Sequence, residues 1–498
     1  MDEILKNISI PQTNIFPSAS KKELAINLYS LLNAPNNLYK GVVVFFLIYF
    51  ASISEIKNME QPLIGYIDLL LAPLYFIIFL LGARYIKKRN PDDLLIQKYF
   101  IKGFVFKIAG GLFYALLVIF YWGIGDTATY FKEVLEIRQL IAEGKVSFFQ
   151  VYFYDYSYFR NNFDMQRSIN NNGFMVTKIA LFFSYFAFSR FLLTTMIFSC
   201  FAYASLFVLF KTFVSLIPNW HKVIALFVLF FPSISIYGSG ILKDTICIAA
   251  LGYFYYSSYE MLIKKRAQIK HFAIMGISAY FIMVVKSYIL AAFMVPFIIF
   301  LMVKLISGIK PVFKFISIFL IFSFLISIGF IFSFSIEEAL GRYSAENLQE
   351  NIQDLQNEYS KMTENADSNF SIGAIDPTLW GLVKKMPEGF VATLYRPFIW
   401  EARKVFTMFS AIESLLILLF TLYVLLKAGF INFFKSIFIK SMIFLFIGFS
   451  LIFASLVGLS TLNFGTLARY RIPVIPFYLM GLLLILYRSK VAMLKKHQ

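Results

Sequence analysis

Five short motifs carry charged side chains, four of them beside Gly or Pro. They are GIGDTATY with Asp126, YGSGILKDT with Lys243 and Asp244, VVKSY with Lys286, YRPFIWEAR with Arg396, Glu401 and Arg403, and NFGTLARYRIPVIP with Arg469 and Arg471. Two chemistries suit these residue types. Arg binds phosphate or diphosphate through two parallel hydrogen bonds, and Lys adds a compact positive charge. Asp126, Asp244 and Glu401 are carboxylates able to take a proton from a hydroxyl. For any one of these charges the plainer account is an interface residue, paired with a neighbour and snorkelling to water. As a set they ask for more, because charge at membrane depth costs several kcal/mol unless paired or hydrated and tends to mark a site. Backbone amides after Gly238 and Gly240 add donors for an anion. Pro232, Pro397, Pro473 and Pro476 end or start the helices around the motifs.

The elements that must position these residues are membrane helices. The chain is 59% hydrophobic, with 61 Phe and 30 Tyr, and only 15% charged. That is too little charge to cover a water-facing surface of this size. Apolar residues come in runs long enough to cross a bilayer as helices, without the short alternating segments of a membrane barrel. The fold class expected is all-α, a single polytopic transmembrane bundle over 1–498 with about 12 spans. We place them near 39–55, 62–82, 103–124, 190–213, 222–238, 242–262, 271–285, 288–306, 313–335, 404–426, 438–459 and 473–488.

Charge orients the spans. The loop with Arg84, Lys87, Lys88 and Arg89 and the loop with Lys264, Lys265, Arg266 and Lys270 are strongly basic, so both face the cytoplasm. An even number of crossings must then separate them, and segment 174–189 is expected to lie in the outer interface or re-enter without crossing. Both termini fall on the cytoplasmic side, and two long outer loops result. The first, 125–189, is rich in Tyr, Phe and Asn and carries interfacial helices. The second, 336–403, contains Leu348, Ile352, Leu355, Tyr359 and Met362, an apolar stripe of one amphipathic helix. On this map Lys243, Lys286, Arg396, Arg403, Arg469 and Arg471 all lie outside, where positive charge is disfavoured.

Other chemistries drop out. The net charge of +18 is accounted for by cytoplasmic loops, so no nucleic-acid partner is expected. Cys200 and Cys247 sit in apolar runs and offer neither a disulfide framework nor a thiolate site. His221, His271 and His497 fall at or near the cytoplasmic side, against a zinc or histidine-based site outside. No phosphate-cradling Walker loop occurs. The first 37 residues are polar and no cleavable signal sequence is expected. No metal or cofactor is expected.

At YGSGILKDT, YRPFIWEAR and NFGTLARYRIPVIP the chain resembles bacterial polysaccharide repeat-unit polymerases of the Wzy type and GT-C-like membrane glycosyltransferases. The likeness is one of layout and short motifs. It implies an enzyme of the bacterial inner membrane using polyprenyl-diphosphate-linked sugars at the outer face. It implies diphosphate contact by Arg396, Arg469 and Arg471, and an essential outer carboxylate at Asp126, which is followed by Tyr130. Asp126 departs from the GT-C pattern by following the third span rather than the first. Partners implied are a lipid-linked sugar or oligosaccharide, membrane lipid and other polysaccharide-assembly proteins. A transporter or flippase of lipid-linked oligosaccharide, or a non-catalytic assembly subunit, are the alternatives.

Overall fold

The computed structural model describes residues 63–123, 125–163, 165, 170–306, 370–373 and 379–494. The spans expected near 39–55 and 313–335, and the stripe from Leu348 to Met362, lie outside the described residues. The described residues belong to one compact unit within Leu63–Gln498. They are helical throughout, with no strand among them.

In chain order, α1 (Tyr66–Arg89) and α2 (Ile96–Trp122) precede four shorter helices, α3 (Asp126–Ala142), α4 (Phe148–Phe153), α5 (Tyr156–Phe163) and α6 (Asn171–Phe186). Next come α7 (Phe191–Leu216), two short pieces α8 (His221–Val228) and α9 (Pro232–Tyr237), then α10 (Lys243–Leu262) and α11 (Ile269–Ile306). The last set is α12 (Leu379–Tyr395), α13 (Val405–Ala428), α14 (Phe430–Ile439), α15 (Ser441–Ser460), α16 (Phe464–Tyr470) and α17 (Ile475–Leu494). Six of them, α1, α2, α7, α11, α13 and α15, are long and apolar enough to cross a membrane. The α16–α17 pair, bent by 65°, adds a seventh if counted as one span. Leu70, Ile77 and Leu81 on α1 and Phe409, Leu416 and Leu426 on α13 are exposed. Such continuous apolar faces suit lipid as the solvent.

Contacts along α10 show that α11 doubles back. Its 38 residues would extend about 57 Å if straight, well beyond one bilayer core. Helical geometry breaks at Lys286 (φ −149°, ψ 76°). Before the break, His271 packs on Tyr256 and Met275 takes a contact from Ser258. Lys286 itself reaches Asp244, at the start of α10. After it, Phe293 and Phe297 pack on Phe254, and Lys304 reaches the Leu262 carbonyl at the far end. The chain therefore runs beside α10, turns at Lys286 and runs back along it.

Segment 174–189 falls in α6 and the turn that follows it. The Asn170 cap of α6 faces Lys243, at the start of α10, at 3.4 Å. Arg190, just past α6, meets Asp68 at the start of α1 at 3.5 Å. The other end of α7 lies with the far end of α10, where Ser215 bonds the Tyr259 hydroxyl at 2.9 Å. Both ends of α6 are thus at one end of the bundle, and α6 does not cross it. That end carries all five motifs. The opposite end carries Arg89, Lys211, Lys264, Lys304, Lys427 and Arg488, and we call it the basic end.

Two expectations are corrected. The continuous span expected at 222–238 is broken into α8 and α9 around Leu229–Phe231. Pro232 opens α9, where its missing N–H costs nothing. Neighbouring helices cap the fragment. The Glu413 carboxylate on α13 accepts from the Ser233 N–H at 2.8 Å, and the Lys107 ammonium on α2 donates to the Ile234 carbonyl at 2.7 Å. An acid at the amide end and a base at the carbonyl end match the helix dipole. Gly110 lets α2 approach: a Cβ there would stand 2.3 Å from the Ser235 carbonyl oxygen. The second correction concerns the expected outer loop 336–403, whose last part is not a loop. Helix α12 packs on α15 backbone to backbone, since a Cβ on Gly458 would lie 2.0 Å from the Gly389 carbonyl oxygen. Thr393 bonds the Ala454 carbonyl at 2.6 Å, and Ser455 bonds that of Met386 at 2.9 Å. Small residues and hydroxyls are what join helices in lipid.

Candidate functional site

Asp244 stands in the first turn of α10, behind the segment from Gly238 to Leu242. Residues 238–242 form a turn followed by bends, with Leu242 extended. Gly240 is needed there because a Cβ would come within 2.8 Å of the Tyr114 ring, and the Thr245 hydroxyl fixes the bend by bonding the Gly240 carbonyl at 2.7 Å. The carboxylate is fully buried. Lys286, at the break in α11, reaches one of its oxygens at 2.5 Å. Arg469 reaches the other at 3.3 Å. A buried carboxylate is tolerable only with such partners.

Arg469 comes from α16, a two-turn helix started by Asn463, whose side chain accepts from the amides of Gly465 and Thr466 at 2.9 and 3.2 Å. The same Nη2 that touches Asp244 also donates to Asp126 at 2.7 Å. Asp126 opens α3 and is 51% exposed, against none for Asp244. Four elements thus bring Asp126, Arg469, Asp244 and Lys286 into one chain of contacts running from solvent to core. Tyr130, one helical turn after Asp126, shares its face and lies within electrostatic reach of Asp126, Arg469 and Asp244. The Tyr470 ring lies under Lys286 at 3.7 Å. Lys243 flanks the group and donates to Asn170.

A second group forms around Arg396 and Glu401. Their side chains pair through two nitrogens of the guanidinium, and Glu401 also accepts from the Phe398 N–H at 2.8 Å. Arg396 Nη1 donates to the Ser371 carbonyl at 3.2 Å, and its guanidinium lies 4.4 Å from the Phe370 ring centre. Phe370 stacks on Phe464 with ring centres 4.7 Å apart. Phe464 opens α16 and Arg469 follows five residues later, about 7.5 Å along the axis. One short helix therefore touches both groups, through Phe464 at its start and Arg469 near its end.

Arg471 is elsewhere. It is fully buried, although its type and motif suggested substrate contact. It donates to the Ser414 hydroxyl at 2.6 Å, and at 3.3 Å to the carbonyls of Arg396 and Ser410 and to Glu413. It supports the Arg396 turn from below and does not line a surface. Arg403 is exposed on the turn before α13, away from the Asp244 group in sequence and element. Glu413 was missed by the sequence reading; the signal available was a lone carboxylate inside an apolar run, FTMFSAIESLL.

Chemically, the first group offers an exposed carboxylate and a guanidinium that can exchange one acceptor for another, backed by a buried counter-ion pair. Among the described residues no three His, Cys, Asp or Glu side chains are placed to hold a metal ion. No protein-family model, curated protein or solved structure matches the chain.

Proposed function

We propose that the chain is a glycan polymerase or glycosyltransferase of a bacterial inner membrane, acting at its outer face on polyprenyl-diphosphate-linked sugars. The observation that carries this reading is the placement of Arg469 between Asp126 and Asp244, at the end of the bundle opposite the basic loops. By the distribution of Lys and Arg, the basic end faces the cytoplasm and the site faces out.

The roles follow from exposure and pairing. Arriving diphosphate competes for Arg469, a cation shared by two carboxylates, and draws it from Asp126. Lys243 adds charge at the rim. Asp126 is then free to take the proton of the acceptor hydroxyl. The hydroxyl oxygen bonds to the anomeric carbon as the carbon–oxygen bond to the diphosphate breaks, and the leaving charge rests on Arg469 and Lys243. Asp244 is held by two cations and serves as the counter-ion that keeps Arg469 at hand. Arg396 with Glu401, on the turn between α12 and α13 and against Phe464 of α16, is offered to a second phosphate or to sugar hydroxyls.

One feature favours the transporter alternative. Both α8–α9 and α16–α17 are interrupted helices, the device by which transporters build mid-membrane sites. Single substitutions Asp126→Asn, Arg396→Ala and Arg469→Ala in the native host separate the two. A polymerase defect leaves single repeat units on lipid in the outer leaflet and shortens the surface glycan. A flippase defect leaves those units in the inner leaflet. Unchanged glycan in all three variants removes the site.

A further inference from the structure

The basic end holds a group that the proposed chemistry does not use. Helix α14 (Phe430–Ile439) joins α13 to α15 and buries only Ser436 and Ile437. Phe430, Ile431, Phe434 and Phe438 are 45–77% exposed, so most of its apolar surface is uncovered. Gly429, with φ of +77°, makes the sharp exit from α13 that turns α14 away from the bundle axis. A short helix with an apolar face and flanking cations at the end of a membrane span lies in the headgroup plane.

The cations are in place. Lys427, Lys435 and Lys440 are exposed, and none is in an ion pair among the described residues. A second, independent observation points to an anion. Arg488 on α17 has an Nη1 that is buried from solvent yet has no hydrogen-bond partner among the described residues. A guanidinium nitrogen left so is costly unless an acceptor arrives. Ser489, its neighbour, bonds the Lys427 carbonyl at 3.2 Å, so this turn of α17 lies against the end of α13, just before α14.

We propose that this corner binds an anionic phospholipid. The lipid phosphate takes Arg488 and Lys427, and the acyl chains run beside the exposed Phe residues of α14. Lys435 and Lys440 attract further anionic headgroups along the helix. This site would fix the depth of the basic end in an anionic leaflet, and it stands or falls separately from the sugar chemistry.

The test uses the purified full chain in detergent, titrated with phosphatidylglycerol or phosphatidylcholine and followed by native mass spectrometry. Wild type is expected to bind phosphatidylglycerol the more tightly. Each lysine lost should weaken that binding roughly fivefold, so K427Q/K435Q/K440Q should lose on the order of a hundredfold. R488Q should remove the most tightly held lipid, and the Lys→Arg triple variant should bind as wild type does. Should the Gln variant fail to fold, added salt on wild type gives the same answer, since it must weaken phosphatidylglycerol binding. Equal binding of the two lipids by wild type overturns the proposal. So does full retention by the Gln variant, or displacement of the lipid by inorganic phosphate alone at equal concentration.

Discussion

Lys286→Met is the sharpest probe of the charge group. The ammonium is 6% exposed, its partner Asp244 is fully buried, and they are 2.5 Å apart. Removing one member of a buried pair costs about 3–5 kcal/mol, because the other charge is left behind. Arg469 remains within 3.3 Å of Asp244, so the lower figure applies, about 3 kcal/mol. Methionine keeps the apolar stem against Tyr470, which limits the packing loss. In K286M/D244N both buried charges are gone and Arg469 keeps Asp126 at 2.7 Å, so most of the loss should return. At roughly 2 °C per kcal/mol for a chain of this size, K286M should melt about 6 °C below wild type, and the double variant within about 2 °C of it. The assay is intrinsic-fluorescence melting in one detergent at one scan rate. An unchanged melting point for K286M, or a double variant less stable than K286M, refutes the pairing argument.

Three further outcomes are expected. Gly458→Ala sets a methyl group against the Gly389 carbonyl and must push α12 off α15, with a loss of about 1–3 kcal/mol readable as a lower melting point; an unchanged melting point contradicts that contact. Burial acts to raise the Asp93 carboxyl, but Lys211 at 2.6 Å and the amides of Ile96 and Leu95 outweigh it and hold it below its ordinary value of 3.8. A carboxylate held low contributes stability above its unfolded value and loses it as pH falls through the folded one. Wild type should therefore lose melting temperature more steeply than D93N below pH 3.8, and parallel curves would count against the pair. Finally, with Cys200 and Cys247 replaced, single cysteines at Asp155 and Ser189 should react with an impermeant thiol reagent in intact cells, and one at Lys265 should not; labelling at Lys265 contradicts this topology, and labelling of Lys265 alone inverts it.

Much of this architecture is legible in the sequence because lipid imposes simple rules. Runs of apolar residues locate α1, α2, α7, α10, α13, α15 and α17. The charges of Asp126, Asp244, Lys286 and Arg469 stand out one by one for the same reason. What periodicity does not carry is contact between elements. Nothing in NFGTLARYRIP says that Arg469 turns to the carboxylates while Arg471, two residues on, turns inward to Glu413. That choice is made by the bend after α16 and by the hydroxyl of Ser414. The break in α8–α9 is hidden because Leu229–Phe231 is as apolar as its surroundings, and the partners that stabilise it, Lys107 and Glu413, lie more than a hundred residues away. Helix α12 is hidden for the opposite reason. Its Lys384, Lys385 and Glu388 make it look like a water-exposed loop, while the small residues Gly389 and Thr393 are what meet α15.

The most direct measurement is turnover by the purified chain in lipid vesicles, supplied with the host's polyprenyl-diphosphate-linked repeat unit. Wild type should release polyprenyl diphosphate and lengthen the glycan. R469A should bind the lipid-linked unit weakly and turn it over at least a hundredfold more slowly, in line with the loss of one charge-stabilising donor. Asp126→Asn should bind the unit as wild type does yet fail to transfer it. Equal turnover by wild type, R469A and D126N would contradict the account.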